Sequence, residues 1–333
     1  MKKYKDTDYL QVSVRLRTIA HKTAVDYDTL VKIIDSHSVE TAVRILEEKC
    51  PSLSNSVSDS SEGILKRLDK ALTEELNNAY KLVTSIIGSS ALVSLLKVRY
   101  DFQNLKALIK AEMLGISPDS MLVDSGNISL KALKDGFRER DKKLLDGAVA
   151  VVAEQAIKEA SETGDPQRID LIADNACFDY IMNGCESSGF DFLTEYFNAK
   201  ADLVNIMIFI RCRRMGKDIA FFENALLPYF GVIKLKKLTE YYIRPLEDFY
   251  EMLSSTIYRN VFAGENVSVK EIEWNISDYL NGLVRKMNSV AFGPQVVVGF
   301  LLGKENEISN IRIAFSSVVS GVDSEKTKEK LRV

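Results

Sequence analysis

Apolar residues recur at three- and four-residue intervals along most of this chain, and strict alternation never lasts more than a few positions. A 3.6-residue period gathers such positions on one face of a helix, so the pattern predicts an all-α protein. The first helix is expected over residues 8–24, with Leu10, Val14, Ile19 and Ala20 as its apolar positions. Shorter pieces follow within 27–48, the last capped by Ser38. Longer helices are expected over 63–87, broken at Gly88-Ser89-Ser90, and over 91–113. Another spans 141–162, with Leu144, Leu145, Ala148, Val151, Val152 and Ala156 inward. Further helices are expected over 168–182, ending near Asn183-Gly184, then 190–214, then 234–261 with a bend at Pro245, then 269–283. Gly293-Pro294 is read as a break before an apolar run at 296–302. The serine-rich stretch 51–62 and residues 264–266 read as loops by composition.

One stretch occurs three times. Asp202-Leu203-Val204-Asn205-Ile206, Phe209-Ile210 and Gly216 repeat an earlier Asp101-Phe102-Gln103-Asn104-Leu105, Leu108-Ile109 and Gly115. The third copy is Glu307-Ile308-Ser309-Asn310-Ile311, Ala314-Phe315 and Gly321. All three share one register: an acid, then Asn three positions on, apolar residues at four, seven and eight, and Gly at fourteen. Two further Gly matches at a fixed offset have a chance of about 1 in 200 at average glycine usage, so the recurrence is read as internal triplication. Each copy is an amphipathic helix that a left-handed glycine would terminate. An Asn on the apolar side needs hydrogen-bond partners, so each is expected to tie its helix to a neighbouring loop or helix.

The copies begin 101 and then 105 residues apart, too far for a solenoid repeat. That spacing predicts three related helical units, over residues 1–115, 116–216 and 217–333. A weaker echo supports it: Met121-Leu122-Val123, Ile128 and Leu130 to Leu133 against Ala225-Leu226-Leu227, Val232-Ile233 and Leu235 to Leu238. Each unit is therefore expected to open with a short apolar helix and a turn.

With 333 residues, 46% of them hydrophobic, the chain can bury a large core. A net charge of −3 argues against nucleic-acid binding, which calls for a basic face. Cys50, Cys177, Cys185 and Cys212 form no CxxC pair, and the polar start Met1-Lys2-Lys3-Tyr4 is no secretory signal, which points to a reducing cytoplasm. No run reaches the roughly 18 apolar residues of a membrane span.

Chemistry is hard to find. Residues 299–304 read GFLLGK, without the spacing of a phosphate loop or a hydroxyl after the lysine. His21 and His37 have no spaced partners for a metal, and no cofactor is expected. Glu47-Glu48 and Glu74-Glu75 sit in charge-balanced helical surroundings. Two basic clusters stand out. Arg211, Arg213, Arg214 and Lys217 are read as a candidate protein interface, against the plainer reading of cations favoured at a helix C-terminus. Lys234, Lys236 and Lys237 form the other. The aromatic series Tyr241, Tyr242, Phe249, Tyr250 and Tyr258 reads as core packing. A helical protein-binding scaffold and an all-α enzyme with a nonstandard site are the alternatives left by the residues alone.

The run Val296-Val297-Val298-Gly299-Phe300-Leu301-Leu302-Gly303-Lys304-Glu305-Asn306-Glu307-Ile308-Ser309-Asn310-Ile311-Arg312 resembles the hallmark segment of the C subunits of V/A-type rotary ATPases, relatives of the eukaryotic d subunits. Residues 100–106, 202–206 and the helix holding Tyr9, Arg15, Leu16 and Arg17 are similar to other blocks of that family. Gly299 and Gly303 depart from it, standing where Tyr and Ala are expected. The resemblance implies three similar helical domains arranged as a funnel with pseudo-threefold symmetry. It implies a non-catalytic, torque-transmitting component, one copy per complex, with the D and F subunits of the central shaft and the membrane rotor ring as partners. Its place would be peripheral, on the cytoplasmic side, touching the membrane only through the ring.

Overall fold

Helix boundaries in this protein are written by a few residue types. Asp26, Ser38, Ser129, Asp165, Asp218 and Asp323 each accept a backbone N–H of the first turn that follows them. Pro166 and Pro294 occupy first-turn positions, where a missing N–H costs nothing. The computed structural model describes residues 4–50, 63–88, 90–145, 147–262 and 268–332, and every regular element among them is helical. The serine-rich 51–62 and the loop at 264–266 lie outside the described residues.

In chain order the helices are α1 (Leu10–Thr23), α2 (Tyr27–Asp35), α3 (Val39–Lys49), α4 (Ile64–Ile87) and α5 (Ala91–Leu114). Next come α6 (Leu130–Glu139), α7 (Gly147–Thr163), α8 (Pro166–Ser188), α9 (Asp191–Arg214) and α10 (Ile219–Ala225). The last are α11 (Leu235–Tyr242), α12 (Leu246–Ser254), α13 (Val269–Ser289), α14 (Pro294–Ser320) and α15 (Ser324–Lys328). They fall into two compact units, one over residues 94–276 and one joining 4–93 to 277–333.

In the first unit α7 packs on α8, and α9 packs on α8, α10 and α11. Aromatic rings fill the space between them. Phe209 stacks on Phe249 at 3.7 Å, and Phe222 on Tyr242 at 4.2 Å. Of the aromatic series expected in the core, Tyr242, Phe249 and Tyr258 are buried, while Tyr241 and Tyr250 are half-buried. In the second unit α14 is the central element, packed by α1, α2, α3, α4 and α15. Val296, Val297, Val298 and Leu301 are consecutive or nearly so and all buried, so this stretch is apolar on every side. Among the described residues no helix is long and apolar enough to cross a membrane.

The break expected at Gly293-Pro294 separates α13 from α14, which starts at Pro294 and runs unbroken to Ser320. Several other expectations need correction. Residues 234–261 are not one bent helix. Pro245 takes an extended backbone (φ −51°, ψ 146°) and opens α12 after α11 has ended. α8 continues through Asn183-Gly184 to Ser188, because Gly184 is used for close approach: a Cβ there would overlap Leu95 Cδ2. On α7 the buried face is Val149, Ala150, Val152, Ala153, Ala156 and Ala160, while Val151 points outward, and Leu144, exposed, lies in the turn before the helix. Leu10 and Val14 of α1 are likewise exposed, and Val12, Ser13 and Leu16 face inward. No helix forms over Met121-Leu122-Val123, for a reason that lies in the repeated motif.

Candidate functional site

Each copy of the repeated motif lies on a long helix: α5, α9 and α14. The glycines that follow, Gly115, Gly216 and Gly321, have φ of 65°, 64° and 62°. A side chain would be strained there, which is why glycine ends each copy.

The three Asn side chains make the same connection. Asn104 donates to the Val123 carbonyl at 2.8 Å and accepts from the Val123 N–H at 2.9 Å. Asn310 does this to Arg332, donating at 2.8 Å and accepting at 3.0 Å. Asn205 accepts from the Leu227 N–H at 2.9 Å and donates to the Leu227 and Tyr229 carbonyls at 3.1 and 3.0 Å. A primary amide thus pairs with one backbone residue as a neighbouring β-strand would. The residues held lie 19, 22 and 22 positions downstream. With its N–H and C=O taken by Asn104, Val123 cannot join a helix, so the chain from 117 to 129 stays in turns.

The acids divide two and one. Asp101 accepts the Asn127 and Ile128 N–H groups, each at 3.0 Å. Asp202 accepts the Gly231 and Val232 N–H groups at 2.7 Å and the Tyr258 hydroxyl at 2.8 Å. Burial raises the Asp101 pKa above its ordinary value, against the lowering effect of those backbone bonds. Glu307 accepts a backbone N–H too, from Val25, but unlike the aspartates it also pairs with an ammonium, that of Lys304 at 2.8 Å, one turn back on its own helix. Glu75 of α4 stands 3.8 Å from the same ammonium, whose side chain is only 6% exposed. Burial acts to lower the Lys304 pKa, but Glu307, Cys50 and Glu75 outweigh it and hold it above the ordinary value. Burial also raises Glu307 above its ordinary 4.5, even with the ammonium beside it. Lys304 and Glu307 line an open cavity of about 340 Å³ with Leu16, Phe300 and Gly303.

Two glycines complete the carboxylate clamps, and the sequence pattern did not mark them. A Cβ on Gly126 would overlap Asp101 Oδ1, and one on Gly231 would lie 2.7 Å from Asp202 Oδ2. Gly126→Ala is expected to cost about 2 kcal/mol, through displacement of the carboxylate and loss of one N–H bond. The readout is the urea midpoint at constant m-value, and an unchanged midpoint would mean that the loop yields freely.

The basic cluster is partly absorbed by the fold. Arg213 donates to the carbonyls of Tyr242 at 2.7 Å and Arg244 at 2.9 Å, closing the C-terminus of α11. Arg211 is paired with Glu273. Lys217 lies over the Phe221 ring at 4.7 Å, and its carbonyl accepts from the Tyr242 hydroxyl. Arg214 is exposed. Gly299, a departure from the family pattern, is explained by α13: a Cβ there would overlap the Asn288 side chain and lie 3.2 Å from the Asn288 nitrogen. Burial pushes the Cys177 and Cys185 thiols up to about 12 and that of Cys50 up to about 11, so little thiolate forms near neutral pH.

The profile of the ATP synthase (C/AC39) subunit family matches residues 15–330. The C subunit of the V-type sodium ATPase of Enterococcus hirae is 24% identical over 314 residues, covering 92% of this chain and 93% of that one. The C subunit of the A-type ATP synthase of Methanothermobacter thermautotrophicus is 28% identical over 289 residues, covering 79% and 74%. Its counterpart in the A-type ATP synthase of Methanocaldococcus jannaschii is 22% identical over 355 aligned positions, covering 97% and 86%.

Proposed function

The chain belongs to the ATP synthase (C/AC39) subunit family, and on that premise we propose that it is a non-catalytic central-stalk component of a V/A-type rotary ATPase. In this reading it seats the end of the central shaft, made of the D and F subunits, on the membrane rotor ring and passes torque between them. One copy serves each complex, on the cytoplasmic side of the membrane. Three related helical units, 1–115, 116–216 and 217–333, would surround the shaft as a funnel with pseudo-threefold symmetry, and superposing them should bring α5, α9 and α14 into coincidence.

One observation carries the reading. The amide clamp of Asn104, Asn205 and Asn310, with its terminal glycine, is built three times on three long helices. A single helix-and-loop module repeated in this way is suited to enclosing an axis. Torque also calls for a body that deforms little, which close-packed helical interiors provide. The test is affinity capture of the tagged chain from solubilised membranes. Shaft and ring proteins should be recovered with it. Recovery of the folded chain without either, while the rest of the ATPase is present in the extract, would refute the role.

A further inference from the structure

The segment 211–244 carries eight basic and three acidic residues, a net +5, in a chain whose net charge is −3. The remainder of the chain is therefore at −8. Such segregation calls for a partner of opposite sign. The segment is also one body in space. Arg213 fastens the end of α9 to the turn after α11, Tyr242 bonds back to Lys217, and Phe222 stacks on Tyr242. Of its basic residues, all but the half-buried Arg213 are exposed.

Exposed apolar side chains stand among these cations. Met215, 61% exposed, lies between Arg214 and Lys217, and Ile243, 77% exposed, precedes Arg244. Leu235, 41% exposed, sits between Lys234 and Lys236. The same segment holds an open cavity of about 380 Å³ lined by Lys234, Lys236 and Lys237, with Glu240 as the carboxylate in its wall. A protein interface gathers its apolar residues in a centre and its charges at a rim. Here they interleave singly along turns and a helix start. That arrangement suits a membrane interface, where cations stay with headgroup phosphates and each apolar side chain reaches the acyl boundary.

We propose that this face of the unit spanning 94–276 binds an anionic lipid surface directly, with a phosphate headgroup in the lysine-lined cavity. The proposal replaces the expectation of membrane contact through the ring alone. It goes beyond the coupling role and stands without it, since purified protein and vesicles are sufficient to test it.

The experiment is co-flotation of the full chain with vesicles of equal parts phosphatidylglycerol and phosphatidylcholine, against phosphatidylcholine alone. Binding is expected on the anionic vesicles only, and should fall as salt is raised. Lys234→Glu/Lys236→Glu/Lys237→Glu should lower partitioning at least about tenfold. Ile243→Ser, which leaves every charge in place, should lower it about fivefold. Circular dichroism keeps the variants comparable to the parent chain. Equal binding to both vesicle types, or none by folded protein, overturns the proposal. If vesicles are ignored but the charge reversals release the chain from its membrane complex, the face belongs to an acidic protein partner and the lipid assignment is wrong. Vesicle binding that survives a failed capture of shaft and ring would count against the coupling role alone.

Discussion

Asp202→Ala is expected to destabilise the unit spanning residues 94–276 by about 4 kcal/mol. The carboxylate is 1% exposed and receives three backbone N–H groups, of Gly231, Val232 and, at a longer 3.4 Å, Ile233, and the hydroxyl of Tyr258, which is itself buried. Alanine leaves these four donors without that acceptor. Bonds to a charged acceptor contribute about 1.5–3 kcal/mol each, and relaxation recovers only part of the loss. Asp202→Asn keeps the shape but turns an NH2 toward one N–H, so about half the cost should return. Trp274, the single tryptophan, lies in the same unit and reports its unfolding by fluorescence. A loss for Asp202→Ala below about 1 kcal/mol would show that the loop bonds reform to water.

Lys304→Met should cost the other unit a similar amount, about 3–4 kcal/mol at neutral pH. Methionine fills the space but leaves Glu307, 14% exposed at its side chain, and Glu75 without their shared cation. Lys304→Met/Glu307→Leu should recover most of the loss, because the uncompensated carboxylate has gone. The pH dependence has a definite sign. Burial holds the folded pKa of Glu307 above its ordinary 4.5. Its contribution is therefore full below about that value and is lost as pH rises through the folded pKa. Removing the ammonium raises that folded pKa further, so the penalty of Lys304→Met should shrink as pH is lowered from neutral toward about 5. A penalty independent of pH would mean that solvent already reaches Glu307.

The helical class and the long helices α4, α5 and α9 were legible because their apolar stripes repeat over six turns or so. The Asn residues were legible as groups needing partners, but their targets were not, since a side chain bonded some twenty positions away leaves no local period. Gly126 and Gly231 escaped notice for a related reason. They lie 25 and 29 residues after their aspartates, so no common spacing connects them. The inward face of α7 was misjudged because alanines bury on either side of an Ala-rich helix with little trace in the pattern. A proline between two apolar helical stretches reads equally as a bend or as a boundary, and Pro245 stands at the start of α12, as Pro166 and Pro294 do for α8 and α14.

The discontinuity of the second unit bears on how the protein comes into being. A ribosome delivers residues 4–93 long before the helix they pack around, α14, which follows the whole of the other unit. Until then Leu16, Leu30, Ile33 and Leu72, all buried in the finished protein, have no α14 to cover them. The middle segment, 94–276, is complete as soon as it emerges and can fold in the meantime. The nascent chain thus carries the uncovered, sticky segment 4–93 while the middle is made. Chaperone demand should peak there, and any truncation before α14 should leave that segment aggregation-prone while the middle remains soluble.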